Sequence, residues 1–133
     1  MTDLIAGHIQ IAFDTLPVVL PYVKSGKIKA IALAGTKGSA VLPDLSTIND
    51  GGLAGYEASS WGGLLAPGGT PRDIVNKLNV EVNRALNRPE VRDALTKIGV
   101  EPVGTTPEQF ASYIEAEIRK WKRVVSEGSI KIE

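Results

Sequence analysis

The sequence has no cysteine and only one histidine, His8, among its 133 residues. The absence of cysteine excludes disulfide bonds, thiolate metal ligands and thiol nucleophiles. A single imidazole does not make a zinc site without an unusual set of carboxylates. We therefore expect neither a metal nor a cofactor. His8 has no serine or paired acid at a recognisable spacing, so we do not expect it to act in catalysis.

An excess of one charge and long apolar runs are also lacking. Fifteen basic residues balance fifteen acidic ones, so the formal net charge is zero, and no basic face indicates a nucleic-acid partner. No apolar run approaches the ~20 residues that a membrane span requires. The N-terminus lacks the basic start and apolar segment of a secretory signal, so we expect the chain, as given, to stay in the cytoplasm.

The N-terminal quarter carries the pattern of a β-α-β unit. Residues 9–13 alternate apolar and polar side chains, as a half-buried strand does. Residues 28–34 read as a parallel strand covered on both faces. Between them, a short helix is predicted with Thr15 as its N-cap and Gly26 at its end. Ahead of the first strand, Gly7 is expected to terminate the last turn of another helix.

The rest of the chain is predicted to be mostly helical. Residues 35–55 are irregular, and residues 56–66 read as an extended crossing strand. Three helix starts are predicted. Thr70-Pro71 reads as an N-cap followed by proline at the first helical position, and Pro89 opens the second helix. Thr106-Pro107-Glu108-Gln109 reads as the capping box of the third helix. Two of these helices are predicted to end at Gly99 and Gly128. This element order indicates an α/β fold.

Asp14 and Thr15 follow the first predicted strand, at the end where open α/β sheets place ligand contacts. Two interpretations remain open: they cap the helix that follows, or they contact a ligand. Trp61, beside two glycines, either lines a cleft or hinge or packs in a core. Trp121 lies on the apolar stripe of the last helix, and we expect it to be core.

Chemistry-bearing motifs are nearly absent. The Gly-Thr-Lys-Gly-Ser run at residues 35–39 lacks the spacing of a phosphate-binding loop. There is no nucleophile elbow, histidine pair or dinucleotide fingerprint. Four glutamates, namely Glu101, Glu108, Glu115 and Glu117, are expected to be solvated rather than to form an acid/base pair. This inventory favours binding over catalysis.

Several separated segments together resemble one family, the Bug-type extracytoplasmic solute receptors of tripartite tricarboxylate transporters. The most specific stretches are GHIQIAFD at 7–14, LPYVKSGKIKAIA at 20–32 and WGGLLAPGGTP at 61–71, with shorter ones at 42–47, 52–57, 74–79, 88–91 and 106–110. Their order and spacing cover almost the whole chain. Ser46, where the family usually has proline, and His8, where glutamine or lysine is commoner, depart from the pattern.

The resemblance implies the C-terminal portion of a type II periplasmic-binding-protein fold, in which two lobes close on a small carboxylate without chemistry. It implies a periplasmic location and membrane subunits of a transporter as partners. By this template, residues 1–54 belong to the second lobe and residues 55–133 return to the first. Phe13, Asp14 and Thr15 would then face the ligand cleft, and Trp61 would lie near the hinge.

Because the template leaves the predicted strands without all of their neighbours, we expect exposed sheet edges and self-association through them. Two other functions stay open. One is a small α/β enzyme, or a fragment of one, that uses Asp14 as a base. The other is an interaction module that oligomerises and binds no ligand.

Overall fold

The computed structural model describes residues 1–130 and contains five helices within them. These are α1 (Thr2–Ile5), α2 (Leu16–Lys24), α3 (Arg72–Leu86), α4 (Pro89–Lys97) and α5 (Pro107–Glu127). The chain divides into two units. Unit 1 comprises residues 1–65 and 88–102, and unit 2 comprises residues 66–87 and those from 103 onward. The predicted lobes, 1–54 and 55–133, stay a prediction.

Three helices end as their glycines predict. Gly7, Gly26 and Gly99 have φ values of +78°, +71° and +81°. At Gly26, its N–H donates to the Val23 carbonyl at 3.0 Å, and the next N–H donates to the Tyr22 carbonyl at 2.9 Å. This pair of bonds is the Schellman motif, and the same pattern follows α1 and α4.

The predicted end of α5 at Gly128 is confirmed, but its geometry differs from that of the other three helix ends. Gly128 is the C-cap in a right-handed conformation, and the left-handed residue is Ser129 at φ +51°. The Ile130 N–H donates to the Val125 carbonyl at 3.1 Å, so the Schellman pattern forms around a serine.

Helix starts follow the sequence in two of three cases. Pro89 begins α4, and the capping box of α5 is complete: the Gln109 N–H donates to Thr106 Oγ1 at 3.2 Å, and the Thr106 N–H donates to Gln109 Oε1 at 2.9 Å. The start of α3 is shifted, because Pro71 is the N-cap. The Thr70 hydroxyl instead donates to the Pro67 carbonyl at 2.8 Å.

The predicted strands are not joined into a sheet within residues 1–130, where the only strand-type pairing is two isolated bridges. One is a parallel bridge in which the Leu33 N–H donates to the Ser46 carbonyl at 3.0 Å and the Ile48 N–H to the Leu33 carbonyl at 2.9 Å. Residues 9–13 and 56–66 carry no ladder. A strand forms only beside a partner backbone, and residues 1–130 contain no partner strand for these two segments.

Unit 1 buries two apolar side chains, Leu20 of α2 and Leu33. Thr47, 3% exposed, closes a short turn: its hydroxyl donates to Asp50 Oδ2 at 2.7 Å, and the Asp50 N–H donates back to Thr47 Oγ1 at 3.1 Å. The bond from the Thr47 hydroxyl, together with the Thr47 N–H that donates to the same Oδ2 at 3.3 Å, lowers the pKa of the Asp50 carboxyl below its ordinary 3.8. α4 approaches α2 at Gly99, where an added Cβ would lie 2.8 Å from Leu16 Cβ.

Unit 2 joins α3 to the loop before α5. The side-chain amides of Asn79 and Asn83 donate to the Thr105 carbonyl at 2.8 and 3.1 Å. Because both amides converge on one carbonyl, they fix this loop against α3. Arg72 also forms an ion pair with Glu108, which is the second residue of α5.

The long helix α5 corrects two predictions. Trp121 is 43% exposed rather than core, whereas Glu117 is buried at 7% exposure rather than solvated. The indole N–H of Trp121 donates to Glu117 Oε2 at 3.1 Å, and Lys120 forms an ion pair with the same carboxylate. Lys120 Nζ lies 5.6 Å from the indole centroid. The apolar stripe is therefore only partly covered by the described residues.

The accessible surface of the chain is 10129 Å². A folded monomer of 14.1 kDa exposes only about 6,700 Å² by the usual scaling of area with mass, so the excess is about 3,400 Å². Much of it is apolar. In unit 1, the exposed fractions of Ile11, Phe13 and Ile31 are 62%, 73% and 70%. None of the helices within residues 1–130 is long and apolar enough to cross a bilayer.

Candidate functional site

A cleft of about 360 Å³ in unit 1 is lined by two of its extended segments and by Ala34. The lining residues are Phe13, Asp14, Thr15, Ala34, Tyr56, Ala58 and Ser60. The Ala58 N–H donates to the Ala34 carbonyl at 2.9 Å and holds the middle of the later segment in place. Pockets that hold small molecules start at about 300 Å³, so the cleft has the size of a small ligand.

The first wall lies where the extended chain turns into α2. Thr15 is the N-cap residue, with φ −80° and ψ 145°, and its side chain makes no capping bond. The carboxylate of Asp14 instead accepts the N–H of Thr15 through Oδ1 at 2.7 Å. The Thr15 hydroxyl therefore does not cap the helix, and Thr15 is one of the residues that line the cleft.

The start of α2 offers few backbone donors. Pro17 occupies the second helical position and has no N–H. The N–H groups of Val18 and Val19 both donate to the Thr15 carbonyl, at 3.0 and 3.1 Å. The side chains of Asp14 and Thr15 therefore offer more hydrogen-bonding groups at this wall than the helix terminus does.

The second wall consists of Tyr56, Ala58 and Ser60. These residues stand two apart along an extended segment, so they share one face. They were not predicted as site residues. Tyr56 and Ser60 carry hydroxyls and stand two residues on either side of Ala58. This alternation along the sequence could have identified them as residues of one face.

Of the four predicted ligand-binding residues, the structure brings Phe13, Asp14 and Thr15 to one cleft. Trp61 follows Ser60 directly, is 46% exposed, and is not among the lining residues. The ligand-binding role of all four stays a prediction.

The polar side chains that line the cleft can form hydrogen bonds with a ligand. The lining residues with polar side chains are Asp14, which carries a carboxylate, and Thr15, Tyr56 and Ser60, which carry hydroxyls. Phe13 and the two alanines supply apolar surface. Within residues 1–130 there is no group of three or more histidine, aspartate or glutamate side chains placed to hold a metal ion.

A second depression in unit 1 differs in chemistry. It has a volume of about 370 Å³ and is lined by Ala30 and by residues 41–45. Asp44 is its only ionisable lining residue, and most of the others are aliphatic. It therefore offers fewer hydrogen-bonding side chains than the first cleft, and it serves below as an internal control.

The sequence profile of the tripartite tricarboxylate transporter family receptors matches residues 1–130. Curated relatives are 31–33% identical to this chain and match 96–99% of it, but the chain spans only 38–40% of their length. These matches confirm the family that the sequence resembles.

Solved structures agree with the family match. An R. palustris protein solved with adipate is 36% identical, with a TM-score of 0.85 over 94% of this chain and 42% of its own. The periplasmic binding protein BugD is 27% identical, with a TM-score of 0.86 over 100% of this chain and 45% of its own. MatC from Rhodopseudomonas palustris, with bound malate, is 37% identical, with a TM-score of 0.74 over 93% and 43%. The predicted fold class, part of a periplasmic-binding-protein fold, is confirmed.

Proposed function

This chain belongs to the tripartite tricarboxylate transporter family of receptors, and we propose that its cleft is part of a site that holds a small carboxylate. The observation that carries the proposal is the convergence of Asp14 and Thr15 with two further hydroxyls on one cleft. Two solved relatives contain adipate and malate, which are small dicarboxylates.

Binding without chemistry fits the residues of the cleft. Hydroxyl groups donate to carboxylate oxygens, and the ring of Phe13 packs against a carbon chain. Among the lining residues, Asp14 is the only carboxylate and Tyr56 the only other side chain of a type that serves as general acid or base, and no histidine, lysine or second carboxylate stands beside them. The enzyme alternative therefore has less support than the receptor.

The binding proposal is tested by titrating the isotope-labelled chain with malate and adipate while amide resonances are followed by NMR. Because the chain spans 42–43% of these solved relatives, we expect weak binding, with a Kd on the order of 1 mM. Resonances of residues 13–15 and 56–60 should shift, whereas those of residues 41–45 should not. Absence of shifts, or equal shifts at both depressions, would contradict the proposal.

The same samples separate binding from catalysis. If the chain only binds, the spectra of malate and adipate stay unchanged over days of incubation. Turnover that disappears in an Asp14→Asn variant would instead favour the enzyme alternative.

We also propose that the whole protein acts in the periplasm with membrane subunits of a transporter. The support is the receptor family and the similarity to BugD, which is described as a periplasmic binding protein. Deleting the gene should lower uptake of labelled small acids by intact cells, and unchanged uptake of all of them would contradict this role.

The exposed surface supports a further proposal, that the isolated chain associates with a second copy of itself. No backbone N–H of residues 10–14 donates to a backbone carbonyl within residues 1–130. Ile9, Ile11 and Phe13 alternate along this segment and are 43%, 62% and 73% exposed. An extended segment with free donors and an apolar face is a template for strand addition.

The size of the excess surface is consistent with such pairing. The excess of about 3,400 Å² is larger than the ~800 Å² that each partner buries in a standard interface. The zero net charge gives no long-range repulsion between copies.

Sedimentation velocity at micromolar concentration tests this association. We expect a dimer or larger species that Ile11→Lys dissociates, because the new charge would have to be buried in the pairing. Val103→Lys, at a side chain 64% exposed in unit 2, is the matched control and should leave the association unchanged. A wild-type monomer, or equal dissociation by both variants, would contradict the proposal.

A further inference from the structure

The second wall of the cleft is anchored to two neighbouring residues of unit 1, Leu33 and Ala34. Leu33 pairs with residues 46–48 through the parallel bridge, at the start of a loop. The Ala34 carbonyl accepts the Ala58 N–H, in the middle of the wall, at 2.9 Å. The loop between these two anchors therefore decides where Tyr56, the first residue of the wall, lies.

The first turn of this loop has a fixed backbone. The Thr47 hydroxyl bonds to the carboxylate and to the N–H of Asp50, and the Gly51 N–H donates to the Thr47 carbonyl at 3.1 Å. Thr47 itself is buried. Asn49 lies inside this turn, so hydrogen bonds on both sides set the direction in which its side chain leaves the backbone.

The side chain of Asn49 crosses the loop to the residue that precedes the wall. Its Oδ1 accepts the Gly55 N–H at 2.8 Å, and the Gly55 N–H donates to no backbone carbonyl within residues 1–130. Gly55 has φ +81°, a left-handed conformation that glycine adopts readily, and Tyr56 follows it directly. A side-chain hydrogen bond with Asn49 also helps to lower the pKa of the Asp50 carboxyl. Asn49 thus joins the fixed turn to the start of the wall.

The backbone bonds that cross the loop are longer than the bond from Gly55 to Asn49. The Gly52 N–H donates to the Asn49 carbonyl at 3.3 Å, and the Leu53 N–H donates to the Ile48 carbonyl at 3.4 Å. Bonds from N–H to oxygen are commonest at about 2.9–3.0 Å. The Asn49 side chain therefore makes the best-formed link between the two sides of the loop.

We propose that Asn49 is a positioning residue of the ligand cleft, and that its side chain places the second wall through Gly55. Asn49 is not among the residues that line the cleft. It therefore acts on a ligand only through the wall that carries Tyr56 and Ser60. The proposal rests on the proposed binding function and adds to it a residue outside the cleft.

Three variants separate positioning of the wall from general stability. Asn49→Leu keeps the approximate size of the side chain and removes the oxygen that accepts the Gly55 N–H, whereas Asn49→Asp keeps such an oxygen. Asn87→Leu is the matched control, because it makes the same chemical change at an exposed asparagine of unit 2 whose side chain bonds to a backbone carbonyl. If Asn49→Leu does not fold, Asn49→Ala takes its place with the same expectation.

Two NMR measurements give the expected effects. In the free chain, the resonances of residues 55–60 should move in Asn49→Leu and stay near their wild-type positions in Asn49→Asp. In titrations with malate at about 0.15 M salt, which screens the added charge, Asn49→Leu should bind about fivefold more weakly than wild type, because the loss of one hydrogen bond changes an equilibrium about two- to tenfold. Asn49→Asp should stay within about twofold of wild type, and Asn87→Leu should match it.

The outcomes separate the two levels of the proposal. If the wild-type chain binds neither malate nor adipate, the binding function itself is overturned, and the resonances of residues 55–60 in the free chain still test the placement of the wall. Wild-type affinity in Asn49→Leu, equal weakening in Asn87→Leu, or failure of Asn49→Asp to restore binding overturns the role of Asn49 and leaves the binding function standing.

Discussion

Replacing Gly99 by alanine should be one of the most destabilising single-methyl additions in unit 1. Gly99 has φ +81°, a conformation that costs a non-glycine residue about 1–2 kcal/mol. The new methyl would also lie 2.8 Å from Leu16 Cβ and 3.4 Å from Val41 Cγ2. Overpacking of this kind costs about 1–3 kcal/mol. We therefore expect Gly99→Ala to lower the free energy of unfolding by about 2–5 kcal/mol.

Gly26→Ala is the matched control, because it makes the same chemical change at the end of a helix in the same unit. Gly26 has φ +71°, but nothing lies within 4 Å of its added Cβ. Only the cost of the left-handed backbone conformation applies, so Gly26→Ala should lower the free energy of unfolding by about 1–2 kcal/mol. Urea denaturation of the three proteins, followed by circular dichroism, gives both differences with the slope of the transition as a check.

Equal losses in Gly99→Ala and Gly26→Ala would refute the reasoning, since the close approach of α4 to the start of α2 would then contribute nothing. Leu16 follows Thr15 directly, so this contact also positions the first wall of the cleft. Resonances of residues 13–16 should therefore shift in Gly99→Ala and stay in place in Gly26→Ala.

Three other substitutions test the local networks. Thr47→Val should raise the pKa of Asp50 toward 3.8, whereas Thr47→Ser should keep it low, and NMR titration of Asp50 measures both values. The lowered pKa stabilises the fold above pH 3.8. This stabilisation is lost as the pH falls through the lowered pKa. Asn83→Ala should cost about 1 kcal/mol in urea denaturation because it removes a bond across to the loop before α5, and Asn87→Ala, which loses only a bond within its own helix and cap, should cost less. Thr106→Ala should cost about 1 kcal/mol through loss of the capping box, and Thr106→Ser should be nearly neutral; a neutral alanine variant would contradict the cap.

Helix ends were predictable because their determinants are local. A Schellman motif needs one residue in the left-handed region and two bonds that span six residues, so Gly7, Gly26 and Gly99 suffice to specify it. The end of α5 at Gly128 was predicted for the same local reason. There Gly128 is the right-handed C-cap, and Ser129 after it adopts the left-handed conformation.

Strands and the core were less predictable because both depend on what lies opposite. Residues 9–13 have the alternation of a strand, but that pattern specifies a face and not a partner. The apolar stripe of α5 predicts a buried Trp121, which is 43% exposed. Burial of Glu117 has no signal in the periodicity, because it arises from the ion pair with Lys120 and the indole bond of Trp121.

The first wall of the candidate cleft was predictable because its residues are identified by local sequence, whereas the second wall was not. Asp14 and Thr15 follow directly from their place at the end of a strand pattern before a helix. Tyr56 and Ser60 belong to a segment that is held beside Ala34 by the bond from the Ala58 N–H to the Ala34 carbonyl, a contact that the sequence pattern of either segment does not specify. The family resemblance identified the first wall through its GHIQIAFD stretch, but no residue of the second wall was singled out from it.

The unpaired segment and the candidate site are the same piece of chain, and this has a consequence for affinity. Residues 9–13 lead directly into Asp14, so any partner strand that pairs with them also restrains the carboxylate that faces the cleft. An extended segment without a partner loses conformational freedom when a ligand orders it, and that loss lowers the affinity of the chain alone. If a partner strand pairs with residues 9–13 first, these residues are already ordered and ligand binding no longer carries this entropy cost. We therefore predict that ligand binding by this chain and its association through residues 9–13 strengthen each other.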